Sequence, residues 1–260
     1  MKIIARIRNA YDGKFGVPRQ SGLVEQVVST IVFEPEYRVT EALRGIEEFS
    51  HLWLIWSFDR AERENWSPTV RPPRLGGNQR VGVFATRSPF RPNAIGLSCV
   101  KLLGVEKGSE GTVLKVAGAD LMNGTPIYDI KPYLPYADCR PEATGGFTDR
   151  TEKRRVEVEI PDEFAKQMKA EDLEALKAVL REDPRPAYQD DPERVYAFEF
   201  AGSNVRFSVK DGTLHVLSIQ NSEFRINGQP AFRSVEQAGK RSVRYAHSFF
   251  LTNKYKYISL

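Results

Sequence analysis

Between residues 70 and 98 the chain is denied a helix. The stretch V-R-P-P-R-L-G-G-N-Q-R-V-G-V-F-A-T-R-S-P-F-R-P-N-A-I-G-L-S is punctuated by Pro and Gly from end to end. Pro removes an amide donor and clashes with the preceding turn, and Gly carries backbone entropy that a helix must remove. What remains is loop, with room for one short apolar run at 81–85 that reads as a buried strand. Arg71, Arg74, Arg80, Arg87 and Arg91 lie in the same stretch, with no Asp or Glu among them. Guanidinium groups grip phosphate or carboxylate in bidentate fashion and stack on rings. The stretch is therefore expected to form two arginine loops around one strand, facing an anionic or nucleobase ligand. A solvated basic loop with rigid turns would have the same composition.

The flanking sequence is rich in strand signals. Residues 3–8 alternate apolar and charged, as a half-buried strand does, and 9–13 carry turn chemistry. F-G-V-P-R-Q-S-G-L at 15–23 reads as an ordered loop with Arg19 and Gln20 at its tip. A second strand is expected over 24–33, and a short helix capped by Thr40 over 41–49. Residues 50–58 are aromatic and β-branched and read as a core strand, followed at once by the charged Asp59 and Arg60. Two further strands fall at 94–105 and 111–119. Then comes A-D-L-M-N-G-T-P-I-Y-D-I-K-P-Y at 119–133, with an Asn123-Gly124 turn. In an extended chain Asp129, Lys131 and Tyr133 share one face. A carboxylate, an amine and a phenol so placed can handle a proton or read a base; a surface strand with a salt bridge would look the same. Glycine-rich phosphate-loop motifs and alternating crossover helices are both missing from the sequence. The expected class is therefore mainly β, with a closed or nearly closed β-barrel over 1–140 favoured over an α/β sheet.

Residues 141–152 have linker composition. A small α+β C-terminal domain is expected over 153–219: a strand at 156–160, a helix running from 162 to about 181, the rigid loop D-P-R-P-A-Y, and three antiparallel strands with Asp211-Gly212 as a hairpin turn. Residues 220–260 show weak periodicity. From Leu217 onward seven basic residues face two acidic ones, more than the whole net charge of +4, so the basic balance resides in this tail. Phe224, Phe232, Tyr245, Phe249, Phe250, Tyr255 and Tyr257 interleave with those charges, a composition that suits RNA contact or packing on a partner subunit. Only Cys99 and Cys139 are present, and the three His are scattered, so neither a disulfide framework nor a metal site is expected. No apolar run approaches the ~20 residues of a membrane span, and a cytoplasmic setting follows by default.

F-G-V-P-R-Q-S-G-L, F-S-H-L-W, R-P-P-R-L-G-G-N, V-G-V-F-A-T-R-S-P-F-R-P-N-A-I-G-L-S, G-T-P-I-Y-D-I-K-P-Y-L-P and D-P-R-P-A-Y together resemble the TsaA-like (TrmO-type) family, in the same order over residues 1–219. The resemblance implies an S-adenosylmethionine-dependent tRNA methyltransferase, a homodimer with a single-sheeted β-barrel N-terminal domain and a small C-terminal domain. It would act on N6 of threonylcarbamoyl-adenosine beside the anticodon. Carried over by motif, the cofactor-binding residues would be Pro18, Arg19, Gln20, Asp59, Arg60, Arg87, Leu97, Asp120, Leu121, Met122 and Asn123. Asp129 and Tyr133 are the candidate catalytic residues, for orienting N6 or taking its proton. Arg91, Asn93, Lys131, Arg185 and Tyr188 are candidates for tRNA or the threonylcarbamoyl carboxylate. The chain departs from the family pattern at Asp59-Arg60, where many relatives carry His-Gln, and at Asn123, where Asp is usual. An RNA-binding module without catalysis, or a small-molecule methyltransferase on the same barrel, are the alternatives.

Overall fold

The computed structural model describes residues 1–61, 65–151, 154–185 and 191–221. Tyr188 and the basic aromatic segment beyond 221 lie outside the described residues. The strands in chain order are β1 (Ala5–Arg8), β2 (Val28–Phe33), β3 (His51–Ser57), β4 (Thr69–Val70), β5 (Val81–Gly82), β6 (Ile95–Gly108), β7 (Gly111–Ala117), β8 (Pro126–Pro132), β9 (Glu157–Glu159), β10 (Tyr196–Phe200), β11 (Ser203–Lys210) and β12 (Thr213–Asn221). The helices are α1 (Pro135–Asp138), α2 (Asp162–Ala165) and α3 (Ala170–Arg181). Among the described residues no helix is long and apolar enough to cross a membrane.

The chain is mainly β. β1 pairs antiparallel with both β2 and β8, and the order β1-β2-β7-β6-β3-β8 closes on itself as a barrel. Closure pairs each of the six strands with a neighbour on both sides over at least part of its length. The alternation that announces these strands places Ile7, Ile31, Leu52, Leu54, Leu114, Val116 and Ile127 inside, all fully buried. Each such side chain contributes roughly 1.5–3 kcal/mol by leaving water. The register shifts twice. Leu103 is passed over where β6 meets β7, and Tyr128 where β8 meets β3. A bulge inserts an unpaired residue and re-aims its side chain, so Tyr128 turns away from the strict in-and-out alternation.

A second sheet, ordered β10-β11-β12-β9, carries α3 against it. Ala175, Leu176, Val179 and Leu180 form the buried stripe of that helix at i, i+1, i+4, i+5 spacing. Asp211 and Gly212 both adopt positive φ in the hairpin between β11 and β12, as the turn chemistry requires. The core of this unit also contains Tyr11, Val24 and Val27, which belong to the connection between β1 and β2. That connection leaves the barrel, packs under the second sheet and returns. Ala201 N–H donates to Ala10 O, and Gly202 N–H donates to the Asp12 carboxylate.

Four expectations need correction. Residues 81–85 are not a buried strand: only Val81–Gly82 pair with Thr69–Val70, a turn follows, and Phe84 is 70% exposed. Val83 alone enters the small core formed with Val70 and Phe90, so the run is too short to bury both faces. Residues 41–49 form two 3-10 turns instead of one helix, because Gly45 between them takes φ 85. The stretch 162–181 breaks into α2 and α3, with Glu171 and Asp172 providing acidic residues for a fresh helix N-terminus. The second sheet is mixed, since β9 runs parallel to β12, and β12 continues through Asn221 into what the sequence reads as tail.

Gly96 sits opposite Trp56 on the paired strands β6 and β3. A Cβ there would fall inside the indole of Trp56. Gly96→Ala should therefore cost about 1–3 kcal/mol through overpacking, read as a lower denaturant midpoint with unchanged m-value. An unaltered midpoint would show that the indole has room to move.

Candidate active site

The site forms where β7 parts from β6. β7 ends at Ala117, while β6 has already run through Ser98 and Cys99. The loop before β2 fills the vacated edge. Gly22 N–H donates to Gly118 O at 2.8 Å, and the Ser21 hydroxyl accepts from Cys99 N–H at 3.2 Å. This brings the tip of F-G-V-P-R-Q-S-G-L beside the segment that follows β7.

Four polar side chains meet there. The Arg87 guanidinium donates to the Gln20 amide oxygen. The Asp120 carboxylate accepts from the Ser98 hydroxyl, which in turn accepts from Trp56 Nε1 at 2.9 Å. Burial pushes the Asp120 carboxyl up to about 6, against the opposing pull of Ser98, backbone amides and the Arg87 charge. The Tyr11 hydroxyl lies within reach of the Asp120 charge, and is buried without a hydrogen-bond partner among the described residues. A carboxylate held against its solvation preference suits a cationic ligand group, and Arg87 with Gln20 suits a carboxylate or a ring edge. That donor set fits an amino-acid sulfonium cofactor.

Other residues carried over by motif group around this cluster or away from it. Pro18 is buried at the base of the loop, and Leu121 is fully buried in the barrel core. Met122 O accepts from Thr125 N–H and shapes the turn. The Asn123 side chain accepts from Asn9 N–H at 3.3 Å and donates to the Asp12 carboxylate at 3.2 Å, while its carbonyl accepts from Arg60 at 3.1 Å. Asp59 stays exposed on the same turn as Arg60. Arg19 turns the opposite way from Gln20: its guanidinium donates to Arg185 O at 2.7 Å. Arg185 is itself buried, in a two-pronged ion pair with Asp183 at 2.8 and 2.9 Å. The sequence offers Arg185 on a rigid loop as a substrate contact; the structure turns it inward.

Asp129, Lys131 and Tyr133 do share one face, as their spacing requires, but it is the outer face of the barrel. Asp129 pairs with Lys131 at 2.9 Å, and the Tyr133 ring lies against His51 and Trp53. In the strand register Ile55 sits between Asp129 on β8 and Leu97 on β6, so the exposed Leu97 belongs to this face too. Ser98 points inward, so Asp129 and Tyr133 are not gathered with Asp120. Arg91 and Asn93 line a cavity of about 310 Å³ with Asn65, Trp66 and the bulged Tyr128. Arg91 braces its loop through Thr86 O at 3.0 Å, and its guanidinium lies over the ring of Phe84. Phe84 and Trp66 stack at 5.9 Å, and both are largely exposed. Sequence reading missed Trp66, Phe84, Ser21 and Ser98. A lone exposed Trp in a charged loop was the available signal for the first; nothing local marks the serines, which matter only through the register of β6.

Comparison with known proteins gives the family. Residues 6–139 match the model for the tRNA-methyltransferase O N-terminal domain, and residues 153–222 match the TrmO C-terminal domain. The chain belongs to the tRNA-methyltransferase O family. It is 41% identical over 225 residues to the tRNA (adenine(37)-N6)-methyltransferase of Escherichia coli, covering 84% of this chain and 96% of that one. A Pseudomonas aeruginosa relative, provisionally named an S-adenosylmethionine-dependent methyltransferase, is 40% identical over 203 residues, 74% of this chain and 85% of its own. The crystal structure of TrmO from Pseudomonas aeruginosa superposes with a TM-score of 0.68 at 32% identity, over 84% of this chain and 95% of the other.

Asp120 sets a pH test of this site. Its folded-state pKa is raised, so the folded chain holds more protons than the unfolded chain between about pH 4 and 6. Stability should fall as pH rises through that window and level off above it. Asp120→Asn cannot ionise and should remove the slope, stabilising the protein by on the order of 3 kcal/mol at pH 7.5 and little at pH 4. Parallel unfolding curves of both proteins at every pH would show that Asp120 is not desolvated.

Proposed function

We propose that the chain transfers the methyl group of S-adenosylmethionine to N6 of the adenine next to the anticodon of tRNA, with threonylcarbamoyl-adenosine as the acceptor nucleoside. The observation that carries this reading is the convergence of Gln20, Arg87, Ser98 and Asp120 at the open end of the barrel. The cofactor, when bound, supplies an electrophilic methyl on a sulfonium. The chain's part is placement. Asp120 opposes the positive charge of the cofactor, Gln20 and Arg87 fix its polar ends, and Pro18 with Leu121 and Met122 hold the loops that carry them. In-line attack by a weakly nucleophilic exocyclic amine depends mostly on such positioning. Asp59, Arg60 and Asn123 border the same end through the Arg60–Asn123 contact. The exposed Trp66–Phe84 pair offers a stacking surface for an unpaired base, with Arg91 and Asn93 beside it.

In this reading Asp129 and Tyr133 accept or orient the N6 proton from the outer face, and Leu97 links that face to the cofactor. Beside them, the half-exposed Trp53 and Ile55 are the surface we assign to a homodimer contact. Residues 1–140 act as the cofactor unit and 153–219 as a second unit, in a cytoplasmic enzyme.

The test is nucleoside analysis of tRNA incubated with the protein and S-adenosylmethionine. A mass gain of one methyl on threonylcarbamoyl-adenosine is expected, and no gain on any nucleoside would end the reading. Arg87→Ala should weaken cofactor binding by roughly 1.5–3 kcal/mol, the scale of a hydrogen bond to a charged group; an unchanged Kd in calorimetry removes Arg87 from the site. Asp129→Asn and Tyr133→Phe should lower kcat and leave the cofactor Kd in place. Wild-type turnover in both variants would rule the outer face out of the proton transfer.

A further inference from the structure

A second cavity, of about 320 Å³, opens on the far side of the cofactor loop. It is lined by Arg19, Arg74, Arg150, Arg154 and Arg185, with Asp183 as the acidic residue among them. The arginines come from separate parts of the chain: the loop before β2, the arginine-rich central stretch, the exposed linker, and the loop after α3. Asp183 is committed to Arg185, and the neighbouring Glu182 to Arg155 at 2.9 Å. The side chains of Arg74, Arg150 and Arg154 make no hydrogen bond or ion pair among the described residues. Burial, with Arg74 and Arg154 adding to it, lowers the pKa of Arg19. Like charges are thus gathered around one hollow with Asp183 and Glu182 opposing them only in part, an arrangement that an entering anion would relieve.

We propose that this cleft holds the phosphodiester backbone of the RNA substrate. The proposal rests on the methyltransferase reading and names the surface by which the substrate is held. Among the described lining residues five guanidiniums face one carboxylate, more positive charge than a single phosphate offsets, which favours adjacent phosphates of one strand. The cavity stands at the small end of the range for ligand sites, so one or two backbone groups fill it. Its position gives the binding a purpose. Arg19 faces the cleft while its neighbour Gln20 bonds Arg87, and the Gln20 amide donates back to Arg19 O. A phosphate gripped at Arg19 is therefore one residue from the wall of the cofactor site, which sets the reach of the nucleotide to the methyl group.

The experiment is the salt dependence of tRNA binding. For single-stranded RNA, removing one arginine–phosphate interaction should flatten the plot of log K against log salt by about 0.7. The triple variant Arg74→Ala, Arg150→Ala, Arg154→Ala should lose about 2 units of slope and bind roughly tenfold or more weakly at 0.15 M salt. Its cofactor Kd should match wild type. A control of equal charge, Lys166→Ala, Lys169→Ala, Lys210→Ala, should keep the full slope. Arg154→Ala alone, at an exposed position, should lose about 0.7 and keeps the test open if the triple variant misfolds. An unchanged slope in the cleft variants, or an equal loss in the lysine control, overturns the proposal. An unchanged slope with methylation intact overturns the cleft alone. Slope loss in the cleft variants, from a wild type that transfers no methyl group, upholds the cleft and overturns the methyltransferase reading.

Discussion

The architecture depends on the burial of the β1–β2 connection beneath the second sheet. Tyr11, Val24 and Val27 are at most 2% exposed there, packed with Phe198, Phe200 and the apolar stripe of α3. A loop of this length would otherwise cost ordering entropy for every residue that must hold a fixed conformation. Hydrophobic burial at both its ends offsets that cost, and the tip at 18–22 is held in one place. Gly16 shows how close the fit is: it takes φ 95, and a Cβ on it would enter the ring of Phe198.

From that anchoring the polar geometry follows. Ser21 and Gly22 take over hydrogen bonds that β7 no longer provides, so the edge of β6 is capped by a loop instead of a strand. Asp120 then lies at the barrel mouth with too little water and only partial compensation, which is a condition a cationic ligand relieves. The same loop turns Arg19 outward to the arginine cleft. The polar cluster around Asp120 and the arginine cleft thus share one segment, with the adjacent residues Arg19 and Gln20 bonding on either side of it.

Much of this was legible in the sequence because strand periodicity is local. Residues 50–58, 94–105 and 111–119 announce their strands through alternation and β-branched content, and Asp211-Gly212 announces its turn. What failed was set by contacts far along the chain. Nothing between 41 and 49 says that Gly45 would break the helix, because Gly in a helix is a modest cost that tertiary packing decides. Arg19 and Gln20 are neighbours in one motif, yet the second core separates their side chains. The Asn123 departure becomes intelligible only beside Asp12: the amide donates to that carboxylate, and a second carboxylate there would repel it. The catalytic candidates stand where spacing put them, on one face, but which face is decided by the Tyr128 bulge and the register of β3 and β8.

The linker composition at 141–152, exposed over most of its described residues, suggests two modules on a tether, but the shared core makes them parts of one cooperative body. A protease that nicks the linker would sever the covalent path and leave Tyr11, Val24 and Val27 seated under the second sheet. The two fragments would remain associated as a complementing pair, since parting them would expose an apolar surface on each. The covalent boundary of the chain and its mechanical boundary therefore lie in different places.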